Sequence, residues 1–226
     1  MPLWFPQPEW TNQPAYLIGG GSSLKGFDFG RLTGRNVIGC NEAFRLGKDI
    51  VKICLFGDHA WYQRRKAELA LFGGKVVSCV PSLTSEREPW LLQMGRVREG
   101  LPCGNNLGWY HSTGAAAITL AILLGADPIY LLGYDVCLGP GGDSHWHNQY
   151  NPVPEAHRLE AYERFLQGFR TLAKHMEHLG ISVLNVTNGM TRLTGVWPCI
   201  GFDEFYVQLD QKDAQAEGRV LAEAGK

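Results

Sequence analysis

Apolar positions along the chain fall into short, nearly unbroken runs, set apart by polar stretches with helical spacing. The runs Ala15–Ile18, Asn36–Asn41, Val51–Gly57, Lys75–Val80, Pro128–Asp135 and Ile181–Val186 read as strands covered on both faces. Between them, His59–Phe72 places Trp61, Ala67, Leu69 and Ala70 among Arg64, Arg65, Lys66 and Glu68 and stops at Gly73-Gly74, which predicts a helix. Ala115–Leu124 is an apolar helix ended by Gly125, and Glu155–Leu179 is a long amphipathic helix closed by Gly180. Strands alternating with helices predict an α/β fold, a doubly wound and mostly parallel sheet.

The remaining segments fix the domain organisation. Residues 1–14 hold four prolines and two tryptophans, which suits an extended arm on the domain or on a partner subunit. Residues 15–209 form one domain, with the strand-poor stretches 81–111 and 137–155 as lid or flap segments. Leu24–Leu32 is a short helical or irregular link. Phe202–Leu209 packs an edge or begins a tail, and residues 210–226, rich in Ala and Glu, are that solvated tail.

A chain of 226 residues with 45% apolar content supports one sizeable core, not two. A formal net charge of −1 gives no global field for nucleic acid and favours a small-molecule partner. The six cysteines are scattered without a CxxC spacing and read as buried thiols of a reducing compartment, not as disulfides or a zinc site. The N-terminus lacks a signal-peptide pattern, and the longest apolar stretch is too short to span a bilayer, so the expectation is a cytoplasmic protein with no transmembrane segment. Homo-oligomerisation is left open.

Candidate chemistry sits where strands end. Gly19-Gly20-Gly21 after the first strand allows a tight turn and close backbone approach to a ligand, and Ser22 and Ser23 are able to cap a following helix whose N–H groups attract phosphate. Asn41 and Asp58 end the second and third strands, where they would read ribose hydroxyls or a base edge, or simply cap the next helix. Ser112-Thr113-Gly114 opens a second helix that would face the same crevice, and Asn185–Asn188 ends the last strand. Asp135 is a ligand for a phosphate-bound Mg²⁺, an acceptor for substrate hydroxyls, or a structural salt bridge or cap. In the loop after it, Asp143-Ser144-His145-Trp146-His147 offers a general base, a metal-ligand pattern, or a structural loop, with Trp146 as a stacking surface.

Taken in order, Leu17-Ile18-Gly19-Gly20-Gly21-Ser22-Ser23-Leu24-Lys25, Ile38-Gly39-Cys40-Asn41, Leu55-Phe56-Gly57-Asp58, Ser112-Thr113-Gly114 and Ile129-Tyr130-Leu131-Leu132-Gly133-Tyr134-Asp135 resemble the motifs of a Rossmann-like superfamily. It includes bacterial family 42 sialyltransferases, motility accessory factor glycosyltransferases and hydroxymethyl-dihydropterin pyrophosphokinase-like proteins, with phage proteins that share the pattern. The resemblance runs from about Tyr16 to Asn188. It implies a cytidine-monophosphate sugar bound by Gly19, Gly20, Gly21, Ser23 and Asn41, with Asp58 where those enzymes have asparagine. Gly20 and Ser22 stand where that family carries asparagine and proline. It also implies a catalytic histidine in the loop after Asp135, with His147 first, His145 second and His157 at the helix start. The expected function is therefore a nucleotide-dependent transferase, sialyltransferase-like, for which the sequence does not require Mg²⁺. The alternatives are a Mg²⁺-dependent diphosphotransferase of the pterin type, with Asp58 and Asp135 on the metal, and a non-catalytic nucleotide-binding or interaction protein.

Overall fold

The computed structural model describes residues 3–83, 86–147 and 155–224, with side chains described as far as residue 214. Its strands are β1 (Ala15–Ile18), β2 (Val37–Cys40), β3 (Ile53–Phe56), β4 (Lys75–Ser78), β5 (Leu91–Gln93), β6 (Gly95–Val97), β7 (Asn106–Gly108), β8 (Ile129–Leu132), β9 (Val183–Val186) and β10 (Cys199–Ile200). The helices are α1 (His59–Leu69), α2 (Thr113–Leu123), α3 (Glu155–Met176) and α4 (Phe202–Ala224). Eight strands form one sheet in the order β10-β9-β8-β1-β2-β3-β4-β5, while β6 and β7 make a separate parallel pair. All pairings in the large sheet are parallel. The fold is thus a doubly wound, Rossmann-like α/β sheet.

Alternation along each strand divides the core into two layers. Ala15 and Leu17, Ile129 and Leu131 face the layer that holds α2 and α3, whereas Tyr16 and Ile18, Tyr130 and Leu132 face the layer of α1 and α4. Both faces are covered, which is why the strands read as continuous apolar runs. The chain leaves β1 to build β2, β3, β4 and β5 on one side, then returns to place β8 on the other. Leu17 accordingly lies opposite Ile38 on one side and Leu131 on the other. The order reverses between β1 and β8, and ligands of open α/β sheets bind in the crevice outside the strand ends at such a point.

Several segments differ from their sequence reading. The helix expected after the glycine turn is a single 3₁₀ turn, Ser22–Leu24, with no side-chain cap. Residues 81–111 contribute more than a connector or flap: β5 joins the sheet edge, and β6 and β7 come directly after it. The stretch from Phe202 and the tail expected beyond it belong to one helix, α4, whose first turns are structural. Phe205 and Leu209 are buried, Phe205 packs on Tyr16 and Tyr130, and Asp210 and Asp213 pair with Arg31 and Arg35. The N-terminal arm lies on the domain itself, with the Trp4 N–H bonded to the Gln93 carbonyl and the Trp10 N–H to the Leu124 carbonyl. Cys40, Cys54 and Cys79 are buried as expected, but Cys103 and Cys199 are exposed and Cys137 is half-buried; all six are free thiols. Among the described residues no helix is long and apolar enough to cross a membrane.

Candidate functional site

The carboxyl ends of β8, β1, β2 and β3 form the floor of a cavity of about 370 Å³. That volume is in the range of small-molecule sites. Of the residues singled out in the sequence, Gly19, Gly20, Gly21, Asn41, Asp58, Ser112, Thr113, Gly114, Asp135 and His145 line it. Ser22, Ser23 and His147 are not part of its wall, nor is the Asn185–Asn188 strand end; His157 is exposed on α3.

The glycine turn is shaped from within. The Ser23 N–H donates to Asp135 Oδ2 at 2.8 Å, and the Ser23 hydroxyl donates to Oδ1 at 2.5 Å. A Cβ on Gly21 would stand 2.4 Å from the Asp135 carboxyl carbon, so Gly21 is required by this carboxylate. Of the two serines expected to cap a helix, Ser23 thus serves an internal anion. Burial raises the Asp135 pKa and the two Ser23 bonds oppose the rise. Each Asp135 oxygen thus accepts one bond from Ser23, which makes Asp135 a positioning group for the turn while it also lines the cavity.

The histidine loop folds onto the same turn. The Trp146 N–H donates to the Gly20 carbonyl at 3.1 Å and its indole N–H to the Gly19 carbonyl at 2.9 Å, with the ring against Phe29. Trp146 therefore seals the turn and is not part of the cavity wall. Lys25 clasps Asp143 from the other side of the turn, so the Asp-x-His-x-His pattern is split, and among the described residues no group of three His, Cys, Asp or Glu is placed to hold a metal. His145 and His147 stack with ring centroids 4.9 Å apart. Burial lowers the His145 pKa against the pull of the Ser144 and Gly20 carbonyls, and burial together with the neighbouring His145 lowers His147 to about 4. Both rings are neutral at pH 7. The one that lines the cavity, His145, is in the protonation state of a general base.

Across the crevice, α2 presents a different end. Ser112 caps it by accepting from the Ala115 N–H at 3.0 Å. The N–H groups of Thr113 and Gly114, ahead of that capped position, face no acceptor within the helix. Gly114 is required by close packing, since a Cβ there would meet the Tyr134 ring at 2.9 Å. Asp58 takes the bland role foreseen for it and caps α1 through the Trp61 N–H at 2.6 Å. Asn41 does not cap a helix by its side chain: it sits at φ 51°, and its Oδ1 is buried without a hydrogen-bond partner among the described residues.

Strain gathers at this site. Asn41, His111 and Val136 line the cavity with positive φ, and Tyr110, the neighbour of His111, shares it. Val136, at φ 55°, is the costliest of these, because a β-branched side chain is disfavoured there. The sequence reading missed the aromatic wall formed by Trp109, Tyr162, Phe165 and Phe169. The spacing of Tyr162, Phe165 and Phe169 on one helical stripe was a usable signal, but it reads equally as core. Also missed was Glu42, buried beside the site, which accepts from the Trp61 indole at 2.9 Å, Arg65 at 2.7 Å and Arg45 at 2.8 Å. Burial alone would raise its pKa, but these bonds bring it below the ordinary glutamate value.

Comparison of the chain with protein-family models, with curated proteins and with solved structures finds no match.

Proposed function

We propose that the cavity binds a nucleotide-activated sugar and that the protein is a transferase of the sialyltransferase-like kind that its ordered motifs resemble. The observation that carries this reading is the juxtaposition, at the sheet's reversal point, of a neutral cavity-facing histidine with an open helix N-terminus. His145 removes the proton from an acceptor hydroxyl as its oxygen attacks the anomeric carbon. The bond from that carbon to the phosphate oxygen breaks, and the electron pair leaves with the phosphate. The Thr113 and Gly114 N–H groups receive the growing negative charge, and the α2 dipole adds to them. Asn41 offers its unpartnered amide oxygen to an N–H or O–H of the nucleoside.

This reading moves the phosphate from the glycine turn to α2, and prefers His145 to His147 as the base. The diphosphotransferase alternative needs Asp58 and Asp135 on Mg²⁺, whereas Asp58 caps α1 and Asp135 is held by Ser23. Titration calorimetry with a panel of nucleoside mono- and diphosphate sugars is the test: at least one binds, and His145→Gln keeps that binding while turnover with an acceptor drops at least about 100-fold. Absence of binding across the panel sinks the proposal, and undiminished turnover by His145→Gln removes the histidine from it.

A further inference from the structure

Trp109 differs from the other rings of the cavity in how it is held. Its backbone is pinned by its own N–H to the Val97 carbonyl at 2.9 Å, which continues the β6–β7 pairing. The Arg96 guanidinium lies over its ring, 4.2 Å from the centroid, and donates to the Gly57 carbonyl at 3.0 Å. Gly57 makes room for the ring: a Cβ there would fall 2.1 Å and 2.3 Å from Cζ3 and Cη2, the benzo edge. One face is thus covered by a fixed cation and one edge by backbone, and the half-buried ring packs on the core while contributing to the cavity wall.

A flat, rigid aromatic surface with a cation behind it is the chemistry that receives a second flat ring. Its place agrees. Trp109 stands at the β3 end of the cavity, beside Gly57, while the His145 ring lies against Gly20 at the end of β1. Two strand spacings separate those ends, roughly 10 Å at the usual interstrand distance. We infer that Trp109, backed by Arg96, is the stacking platform for the nucleobase, so that the ring binds at the β3 end and the reacting carbon lies beside His145 at the β1 end. The inference rests on the cavity being a nucleotide site. A platform of this kind favours any planar base over none, because every base offers a π face.

The test measures the four nucleoside 5′-monophosphates and ribose 5-phosphate against wild type, Trp109→Phe and Trp109→Leu, with thermal melts to confirm folding. Trp109→Leu is expected to weaken the nucleotides roughly 5- to 100-fold while ribose 5-phosphate binds within about threefold of wild type. Trp109→Phe keeps a ring and holds nucleotide affinity within about fivefold, but loses most of the change in tryptophan emission that binding produces in wild type. If wild type binds no nucleoside monophosphate, the nucleotide reading itself is overturned. If wild type binds them and Trp109→Leu binds them equally well, or Trp109→Phe shows the full emission change, the platform alone is overturned.

Discussion

Two segments that look alike in sequence, a small-residue turn with serines after β1 and another at the start of α2, are used in opposite ways. At the first, the N–H and hydroxyl of Ser23 are spent on Asp135, from 112 residues away. At the second, Ser112 satisfies one amide of its own helix and leaves the two before it toward the cavity. A glycine-rich turn therefore marks a place where an anion approaches the backbone, but the anion here is the protein's own carboxylate. The proposed nucleotide phosphate goes instead to the helix end.

The contrast breaks most readily at its glycines. Gly21→Ala drives a methyl into the Asp135 carboxyl and is expected to cost about 3 kcal/mol or more, a fall of roughly 6–12 °C in melting temperature. Gly114→Ala presses on the buried Tyr134 ring and touches Phe169 but gains helix propensity, so the loss of stability should be smaller, about 1–2 kcal/mol, while nucleotide affinity falls roughly tenfold. Equal losses of stability at the two positions would erase the distinction.

A smaller effect concerns the seal over the filled turn. The unfolded chain protonates its histidines near pH 6.5. Burial holds His147 neutral down to about 4, and His145 below its ordinary value. Stability thus falls as pH drops through this window, because the unfolded chain takes up protons that the folded one refuses. With allowance for solvent screening, about 1 kcal/mol is expected to be lost between pH 7 and 5 through His147, and His147→Gln should flatten that slope in melts taken across the range. Smallest is Ser112→Ala, which removes the cap of α2 for about 1 kcal/mol or less; an unchanged denaturant midpoint would show that the cap bond contributes nothing.

The central strands were legible because each is apolar on both faces and bounded by turn residues, as Ala15–Ile18 and Ile129–Leu132 show. Three-residue strands such as Leu91–Gln93 carry too short a period to be read, and their place is set by pairing with Val76, Val77 and Ser78. The site was half legible for the same reason. A strand end such as Asn41, a helix start such as Ser112 and a histidine loop such as that of His145 can be read from local pattern. The partnership of Ser23 with Asp135 is a contact between distant segments with no local trace, and it decides the role of the glycine turn. Trp109 escaped because one tryptophan in a strand-poor stretch has no period at all.

The reversal of strand order has a consequence for the making of the protein. β1 gains β2 as a neighbour almost at once, but its other edge stays unpaired until β8 has been synthesised, more than 90 residues later. At about 5–20 residues per second that interval is roughly 5–20 s. Asp135 and His145 emerge later still, so during synthesis the glycine turn is left without its internal anion and its seal. The crevice between β1 and β8 is closed by late-made parts of its own walls, and a nascent chain exposes an apolar strand edge for as long as ribosome and chaperones leave it there.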